Sequence, residues 1–239
     1  MTEERRRGRP LEGWTPPPAP GPAVIEGGHA RLERLAPAVH AGALHEANRA
    51  DDRIWDYLAY GPFATAEDYR RWAEEAASAA DPFFYAIRDL GTGLPGGVAS
   101  FLRITPAAGV IEVGHINLSA GLQNSRAATE AMFLMMRWAF EAGYRRYEWK
   151  CDALNLPSRR AAQRLGFSYE GTFRQHMIVK GRNRDTAWFA VTDSDWPALR
   201  AAFETWLDPA NFDVAGRQRR RLSDLTAPVR VAGDPALGA

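Results

Sequence analysis

The sequence has one cysteine, almost no excess charge and no long apolar run. Cys151 has no second cysteine with which to form an intramolecular disulfide, and no pair spacing suggests a zinc site. The 30 basic and 29 acidic side chains give a formal net charge of +1, so no global field attracts nucleic acid or anionic lipid. Nowhere do about 18 uncharged apolar residues run together, as a membrane-spanning helix requires. We therefore expect a cytoplasmic protein with no metal centre, no membrane and no nucleic-acid partner.

The two ends of the chain differ in composition from its middle. Residues 1–27 include a proline run from Pro16 to Pro22, which favours extended backbone over helix or sheet. We therefore expect a disordered arm, and the alternative is that Trp14 anchors it to the domain. The periodic apolar patterns of one folded domain fill residues 28–207, and residues 208–239 are predicted to be a polar tail.

The apolar patterns predict an α/β fold. Short runs rich in aromatic and β-branched residues predict strands, and apolar residues repeating at i, i+3, i+4 and i+7 predict a helix over Thr129–Ala142. The predicted strands are His29–Leu35, Phe83–Arg88, Val98–Ile104, Val110–Leu118, Tyr144–Cys151, Tyr169–Val179 and Thr186–Thr192. Other helices should follow Pro37 and Thr65, cover Pro157–Leu165 and begin near Asp195. Hairpins followed by alternating strands and helices predict a mixed sheet flanked by helices.

The strand–loop–helix from Ile111 to Phe140 is the strongest local signal for a binding site. Its loop, Gly121–Thr129, brings small residues to a helix N-terminus, where free N–H groups and the helix dipole favour a phosphate. Arg126 could neutralise that phosphate or be solvated. An ordinary capped helix is the alternative for the whole loop.

Two segments together resemble a known family. The pairing of "LQNSRAATEAM" with "NLPSRRAAQRLGFSYEG" about thirty residues later is similar to the core of GNAT acetyltransferases. The resemblance covers about residues 28–195 and is strongest to the branch of the ribosomal-protein-alanine N-acetyltransferases. It implies a splayed mixed sheet and an acetyl-CoA-dependent transfer of an acetyl group to a primary amine.

The resemblance also implies where acetyl-CoA binds. The cofactor would lie between Val110–Leu118 and Tyr144–Cys151, with its pyrophosphate on the backbone amides of Gln123–Ala128. The implied cofactor-binding residues are Leu118, Gln123, Asn124, Ser125, Arg126, Ala127, Ala128, Asn155 and Ser158. Gln123 and Ala128 match the family pattern, whereas Arg126 stands where a glycine is common, which bears on how closely the backbone can approach the phosphates.

A second implied site begins at Asn155. In the family this asparagine contacts the pantetheine arm, and the residue three positions on, here Ser158, can protonate the departing thiolate. Many relatives use a tyrosine later on the helix, where this chain has Ala162. From the residues alone, Asn155 is an N-cap and Ser158 a first-turn residue whose helical stripe faces inward.

The reaction also needs a base for the protonated amine. Glu112 is the first candidate, because strict alternation turns it away from the apolar face of its strand. His115 would face away from Glu112 unless a bulge near Gly114 resets the register. The alternatives are a Glu112 paired with an arginine and a His115 that packs in the core. His176 and Asp185 are weaker candidates for the base.

The acceptor side is expected from an early segment and a late hairpin, residues 51–63 and 174–186. The candidate substrate-binding residues are Trp55, Tyr57, His115, Arg174 and His176. Aromatic and basic groups together suit an acceptor with a carboxylate or an apolar ring, in a small molecule, a peptide or a protein N-terminus. A non-catalytic acyl-CoA-binding module and an RNA contact through Arg217–Arg221 are the competing functions, and a homodimer is an open possibility.

Overall fold

A computed structural model describes residues 7–238 and places them around one eight-stranded sheet. The strands are β1 (Val24–Glu26), β2 (Ala30–Arg34), β3 (Phe83–Asp89), β4 (Pro95–Thr105), β5 (Val110–Leu118), β6 (Arg146–Asp152), β7 (Ser168–Val179) and β8 (Arg182–Thr192). Their spatial order is β1-β2-β3-β4-β5-β6-β8-β7, and β5 and β6 form the parallel pair in an otherwise antiparallel order. The predicted mixed sheet is confirmed.

Six helices flank the sheet. They are α1 (Pro37–Asn48), α2 (Ala66–Ser78), α3 (Arg126–Glu141), α4 (Leu156–Arg164), α5 (Trp196–Leu207) and α6 (Leu222–Thr226). The predicted Thr65 cap is confirmed, since its hydroxyl accepts the N–H of Asp68 at 3.1 Å. Helix α3 begins three residues before the predicted Thr129 because Ser125 caps it. Among the described residues, no helix is both long and apolar enough to cross a membrane.

The sheet separates two hydrophobic clusters. The larger one lies on the face covered by α3, α4 and α5, and the smaller one, which includes Phe84, lies under α1 and α2. We call these sides the α3/α4 face and the α1/α2 face. Along β5, Ile111 and Val113 belong to the larger cluster, so Glu112 between them points to the α1/α2 face.

The proline-rich arm lies along the domain. Its strand β1, which the sequence analysis did not predict, pairs with β2, and the hydroxyls of Tyr85 and Tyr144 donate to the carbonyls of Pro22 at 2.8 Å and Pro18 at 3.0 Å. These carbonyls are free to accept because the extended backbone makes no internal hydrogen bonds there. Residues 1–6 of the predicted arm lie outside the described residues.

Trp14 docks the arm near the start of β5. A methyl group on the α carbon of Gly109 would lie 3.0 Å from Cζ2 of Trp14, and Gly109 has a φ of +68°. Glycine is therefore required there for both space and backbone conformation. The expected disorder is therefore not what the structure has for residues 7–27, which are docked on the domain.

The predicted polar tail is also packed on the domain. Arg159 in α4 and Asp234 are 6% and 2% exposed. Nε and Nη2 of Arg159 donate to the two oxygens of the Asp234 carboxylate, the first at 2.6 Å. A third hydrogen bond, from Arg159 Nη1 to the carbonyl of Ala153 at 2.7 Å, completes the set around the guanidinium. A buried ion pair of this kind requires both partners, so the tail and helix α4 depend on each other.

Candidate active site

The two central parallel strands separate part-way along their length. Residues Val110–Val113 of β5 pair with Arg146–Trp149 of β6, and the pairing ends there. Beyond that point β5 stays with β4 and β6 stays with β8, so a wedge-shaped gap opens toward the carboxyl ends of β5 and β6. Helices α3 and α4 both begin at this edge, and ligands in open α/β sheets bind at such a point.

A bulge in β5 shapes one wall of the gap. Between Ser100/Gly114 and Val98/Asn117 the β5 strand contains one extra residue, and His115 takes a φ of +50°. Its ring stacks on Phe84 at 5.1 Å, and Nδ1 lies 2.8 Å from Oγ of Ser100. The bulge therefore brings His115 to the same face as Glu112, which strict alternation alone does not allow.

Glu112 is buried between two cations. Its carboxylate is 3% exposed; Oε1 accepts from Nη1 of Arg103 at 2.7 Å, and Oε2 lies 2.9 Å from Nζ of Lys150. Lys150 also contacts Glu148 at 2.8 Å and lies 3.7 Å from the centroid of the Trp188 ring. Arg103 is 48% exposed, so one of the two cations next to Glu112 is open to solvent and to an incoming group.

The surroundings shift the pKa values of Glu112 and Glu148, two carboxyl groups on the α1/α2 face, in opposite directions. Burial raises the pKa of Glu112, and the charges of Lys150 and Arg103 offset only part of that effect. Burial also acts on Glu148, but hydrogen bonds from Lys150 and Arg146 lower the pKa of its carboxyl below the ordinary value. A carboxylate with a raised pKa is the better proton acceptor, which distinguishes Glu112 from its neighbour.

His115 is a weak base in this environment. Burial lowers its pKa to about 4, and the nearby charge of Arg103 acts in the same direction. The imidazole is therefore neutral near pH 7. It can accept or donate one hydrogen bond there, but it holds a proton poorly.

The beginning of helix α3 meets the requirements for a phosphate site. Ser125 caps the helix by accepting the N–H of Ala128 at 2.9 Å, which leaves the N–H groups of Arg126 and Ala127 without intrahelical acceptors. The first turn holds no acidic residue and starts with the cation of Arg126, although a cation at this end opposes the helix dipole. An external anion would satisfy both the free N–H groups and the arginine.

Other residues of this loop have local roles. The side-chain amide of Gln123 donates to the carbonyl of Leu118 at 2.9 Å. Asn124 has a φ of +58°, a left-handed conformation that turns the loop toward the helix. Ala128 is 7% exposed and belongs to the larger hydrophobic cluster. Its side chain therefore points into the core, and its N–H already serves the cap.

Helix α4 begins at the other side of the gap. Asn155 is its N-cap and accepts the N–H of Ser158 at 3.1 Å, as the residue pattern predicts. The Ser158 hydroxyl in turn accepts from the indole N–H of Trp149 at 3.0 Å, so it faces inward as predicted. Trp149 and Cys151 belong to the larger cluster. Ser158 thus lies on the α3/α4 face and Glu112 on the α1/α2 face, with the gap between β5 and β6 at the boundary.

The segment after α1 covers the α1/α2 side of the gap. Trp55 is 3% exposed and packs in the smaller cluster, while its carbonyl accepts Nζ of Lys180 at 3.0 Å. The hydroxyl of Tyr57 donates to the carbonyl of Leu154 at 3.2 Å, and Tyr60 reaches the carbonyl of His115 at 3.5 Å. Tyr57 is therefore placed at the edge of the gap, whereas the indole of Trp55 supports the segment from within.

The β7–β8 hairpin carries the remaining acceptor candidates on a second bulge. Between Phe173/Thr186 and Met177/Arg184 the β7 strand has extra residues, which form a depression of about 930 Å³ whose lining includes Arg174, His176 and Asp185. Arg174 and His176 are exposed, and Nδ1 of His176 lies 3.0 Å from Oγ1 of Thr186. Asp185 accepts the N–H of Gln175 at 2.7 Å and so holds the bulge in shape.

Three residues that contact the candidate base residues were not predicted from the sequence: Lys150, Arg103 and Ser100. A signal for Lys150 was present in "YEWKC", where two charges alternate with apolar residues. Strands buried at the centre of a sheet are usually apolar on both faces, so charges at these positions indicate a functional face.

Comparison with known proteins adds a family to this geometry. Residues 29–168 match the family described as Acetyltransferase (GNAT) domain. A GCN5-related N-acetyltransferase from Brucella melitensis is 46% identical, with a TM-score of 0.89 over 91% of this chain and 100% of that chain. A GNAT-family acetyltransferase from Chromobacterium violaceum is 37% identical, with a TM-score of 0.77 over 83% and 100% of the two chains.

A more distant structure shares the fold. The microcin C7 self-immunity acetyltransferase, solved in complex with acetyl-CoA and AMP, is 21% identical, with a TM-score of 0.62 over 70% of this chain and 93% of that chain. A search of curated proteins gave no match.

Proposed function

Because the chain belongs to the GNAT acetyltransferase family, we propose that it transfers an acetyl group from acetyl-CoA to a primary amine of a small molecule, a peptide or a protein N-terminus. It is a GNAT N-acetyltransferase, and the family uses an acyl-CoA as donor. The proposal adds three points to family membership. The transferred group is acetyl, the acceptor is a primary amine, and the chain is related to the ribosomal-protein-alanine branch.

The observation that carries the proposal is the gap between β5 and β6. It opens at the edge where α3 presents free N–H groups and where α4 presents Ser158. The phosphates of acetyl-CoA would meet Arg126 and the first turn of α3, and the pantetheine arm would enter the gap beside Asn155. The absence of acidic residues from the first turn of α3 supports this fit.

The chemical roles follow from the two faces of the gap. When bound, acetyl-CoA supplies an acetyl thioester. On one side Glu112 takes a proton from the acceptor ammonium, which frees the nitrogen lone pair for attack, and its raised pKa suits it to this role. On the other side the Ser158 hydroxyl, whose oxygen accepts from the indole of Trp149, can give its proton to the departing sulfur and take one back from solvent.

Cations beside the base bear on the acceptor. Arg103 donates to Glu112 at 2.7 Å, so it competes with a substrate ammonium for this carboxylate and can be displaced by it. An acceptor that also carries a carboxylate would give the displaced guanidinium a new partner. This supports an amine with a carboxylate nearby as the substrate class.

A ligand-binding prediction tests the cofactor. Acetyl-CoA at about 100 times its Kd should stabilise the folded chain by about 2.7 kcal/mol. For a chain of this size we expect the melting temperature to rise by about 5–10 °C in a thermal-shift measurement. ATP at the same concentration is the control, since it has a phosphate chain but no pantetheine arm. No shift with acetyl-CoA at high excess would remove the cofactor assignment.

The experiment that tests catalysis is an amine panel. The chain is incubated with acetyl-CoA and single amines that represent amino acids, peptides and polyamines, and released CoA thiol is measured. Amine-dependent release supports the transferase. A cofactor-induced thermal shift without release on any amine would favour the non-catalytic acyl-CoA-binding module instead.

Replacing Ser158 by alanine should have a small effect. A thiol leaving group with a pKa of about 8.5 needs little protonation help near neutral pH, so kcat should fall by less than about tenfold. The variant leaves the indole N–H of Trp149 without its acceptor, so its melting temperature is measured alongside kcat. A kcat loss of about a thousandfold with unchanged stability would make Ser158 indispensable and contradict the prediction.

A further inference from the structure

A hairpin in the C-terminal tail lies against the start of helix α3. Residues 211–221, which we call the arginine hairpin, are joined by an antiparallel bridge between Phe212 and Gln218. The guanidinium of Arg126 lies 3.5 Å from the centroid of the Phe212 ring and donates to the carbonyl of Gly216 at 3.4 Å. The hairpin is therefore attached to the first residue of the proposed phosphate-binding helix.

Buried hydrogen bonds fix the backbone of this hairpin. Asn211 is 7% exposed, and its side-chain nitrogen Nδ2 donates to the carbonyls of Trp206 at 3.0 Å and Arg220 at 3.2 Å. Its side-chain oxygen Oδ1 accepts the backbone N–H of Arg220 at 2.9 Å. The indole N–H of Trp206 donates to Gln218 at 2.7 Å. The positions from Gln218 to Arg221 are thus set by the fold and do not belong to a free tail.

The charges on the arginine hairpin are only partly compensated. Arg217 pairs with Asp213 at 2.8 Å, whereas Arg219, Arg220 and Arg221 are exposed and form no ion pair among residues 7–238. Such a concentration of positive charge beside a helix N-terminus attracts a phosphate that carries more than one negative charge.

Helix α4 adds one more cation on the same side. Arg164 donates to the hydroxyl of Thr129, in the first turn of α3, at 3.1 Å, and lies 5.3 Å from the centroid of the Trp206 ring. It too forms no ion pair in the described part of the chain. The hairpin, α3 and α4 thus border a region of uncompensated positive charge at the outer end of the proposed cofactor site.

We propose that the arginine hairpin binds the 3′-phosphate of CoA, with Arg219, Arg220 and Arg221 supplying the positive charge. This inference rests on the proposed function, in which the first turn of α3 binds the pyrophosphate. The 3′-phosphate is a second anionic group, on the ribose of the same molecule and away from the thiol, so cations that bind it lie outside the gap. The hairpin lies outside residues 29–168, which match the family, so the family match does not assign it a role.

Calorimetric titration with CoA and with 3′-dephospho-CoA tests the proposal. The parent should bind CoA at least about tenfold more tightly than dephospho-CoA. The triple variant Arg219→Ala, Arg220→Ala, Arg221→Ala should lose that preference, because it binds CoA more weakly and dephospho-CoA as the parent does. A matched triple variant at Arg49, Arg70 and Arg71, which are exposed or partly exposed on the α1/α2 side, removes the same charge and should keep the preference.

The outcomes separate this inference from the function on which it rests. If the parent binds both ligands and the hairpin variant keeps the parent's preference, the arginine hairpin is not the 3′-phosphate site although the cofactor assignment stands. Equal binding of both ligands by the parent would likewise mean that the arginine hairpin is not a 3′-phosphate site. If the parent binds neither ligand, the cofactor assignment fails and the inference fails with it. Melting temperatures of both variants near that of the parent establish that the exposed substitutions leave the fold intact.

Discussion

A Glu112→Gln variant should turn over about 10²–10⁴ times more slowly than the parent while it binds acetyl-CoA with the same affinity. Glutamine keeps the shape of the side chain and an acceptor oxygen for Arg103, but it cannot take a proton from the acceptor amine. Because Glu112 lies on the α1/α2 face and α3, the proposed phosphate-binding helix, lies on the other, chemistry and cofactor binding should separate. Steady-state kinetics on one competent amine, together with titration of CoA, measure the two effects.

The pH dependence gives the same residue a second signature. Burial raises the pKa of Glu112, so the carboxylate form accumulates, and kcat/KM of the parent rises, only as the pH passes that raised value. Above it the rate should level off. In the variant this limb should be lost or move toward the pKa of the free amine. A limb near pH 4 that survives in the variant would instead point to His115, whose pKa burial lowers to about 4.

Glu148→Gln is the matched control for this prediction. Glu148 contacts the same lysine as Glu112 at 2.8 Å, but the pKa of its carboxyl is lowered and it makes a poor base. If Glu112 acted only as a partner of Lys150, both variants should lose stability to a similar extent and keep similar activity. Normal turnover in Glu112→Gln would eliminate it as the base and leave His115 or a water molecule in that role.

Asp234→Ala should lower the free energy of unfolding by about 3–5 kcal/mol. The substitution leaves Arg159 buried at 6% exposure with its charge uncompensated, and it removes the anchor of the C-terminal tail on α4. At about 2–4 °C per kcal/mol for a chain of this size, the melting temperature should fall by about 10 °C. Thermal and urea unfolding of the full chain measure the change.

Two further variants make this result interpretable. Asp224→Ala removes an exposed carboxylate from the same tail and should change stability by less than about 0.5 kcal/mol. Arg159→Met combined with Asp234→Leu removes both charges and should recover most of the loss, because an apolar pair can replace a buried ion pair. An Asp234→Ala variant that melts with the parent would mean that the tail is not packed on α4 in solution.

Most of the fold could be predicted from the periodicity of apolar residues and from the residues that cap helices. The strand Val110–Leu118 was predicted with its observed bounds, and the start of α2 was predicted because the Thr65 cap depends on side chains next to each other in sequence. The strand β1 was missed because three residues beside a proline run carry too short a pattern to recognise. The packed tail was missed because its burial depends on Arg159, 75 positions from Asp234.

The candidate site could be predicted only where it depends on residues that are close together in the sequence. The direction of Glu112 follows from alternation within one strand, and the Asn155 cap follows from one helix start. The face on which His115 lies depends on a bulge that is defined only by pairing with β4. Gly114 indicates where a bulge can form, but the sequence does not determine whether one does. The cations beside Glu112 come from two neighbouring strands, and only the assembled sheet brings them together.

The segment over the gap has a consequence for how such a site can diversify during evolution. Tyr57, Tyr60 and Lys180 all donate to backbone carbonyls, those of Leu154, His115 and Trp55. A carbonyl is present whatever side chain the residue carries, so a substitution at Leu154 leaves the bond from Tyr57 in place. The wall of the pocket can therefore change its chemistry while these hydrogen bonds to the backbone are kept. New acceptor preferences are thus accessible by single substitutions that do not first have to rebuild the frame.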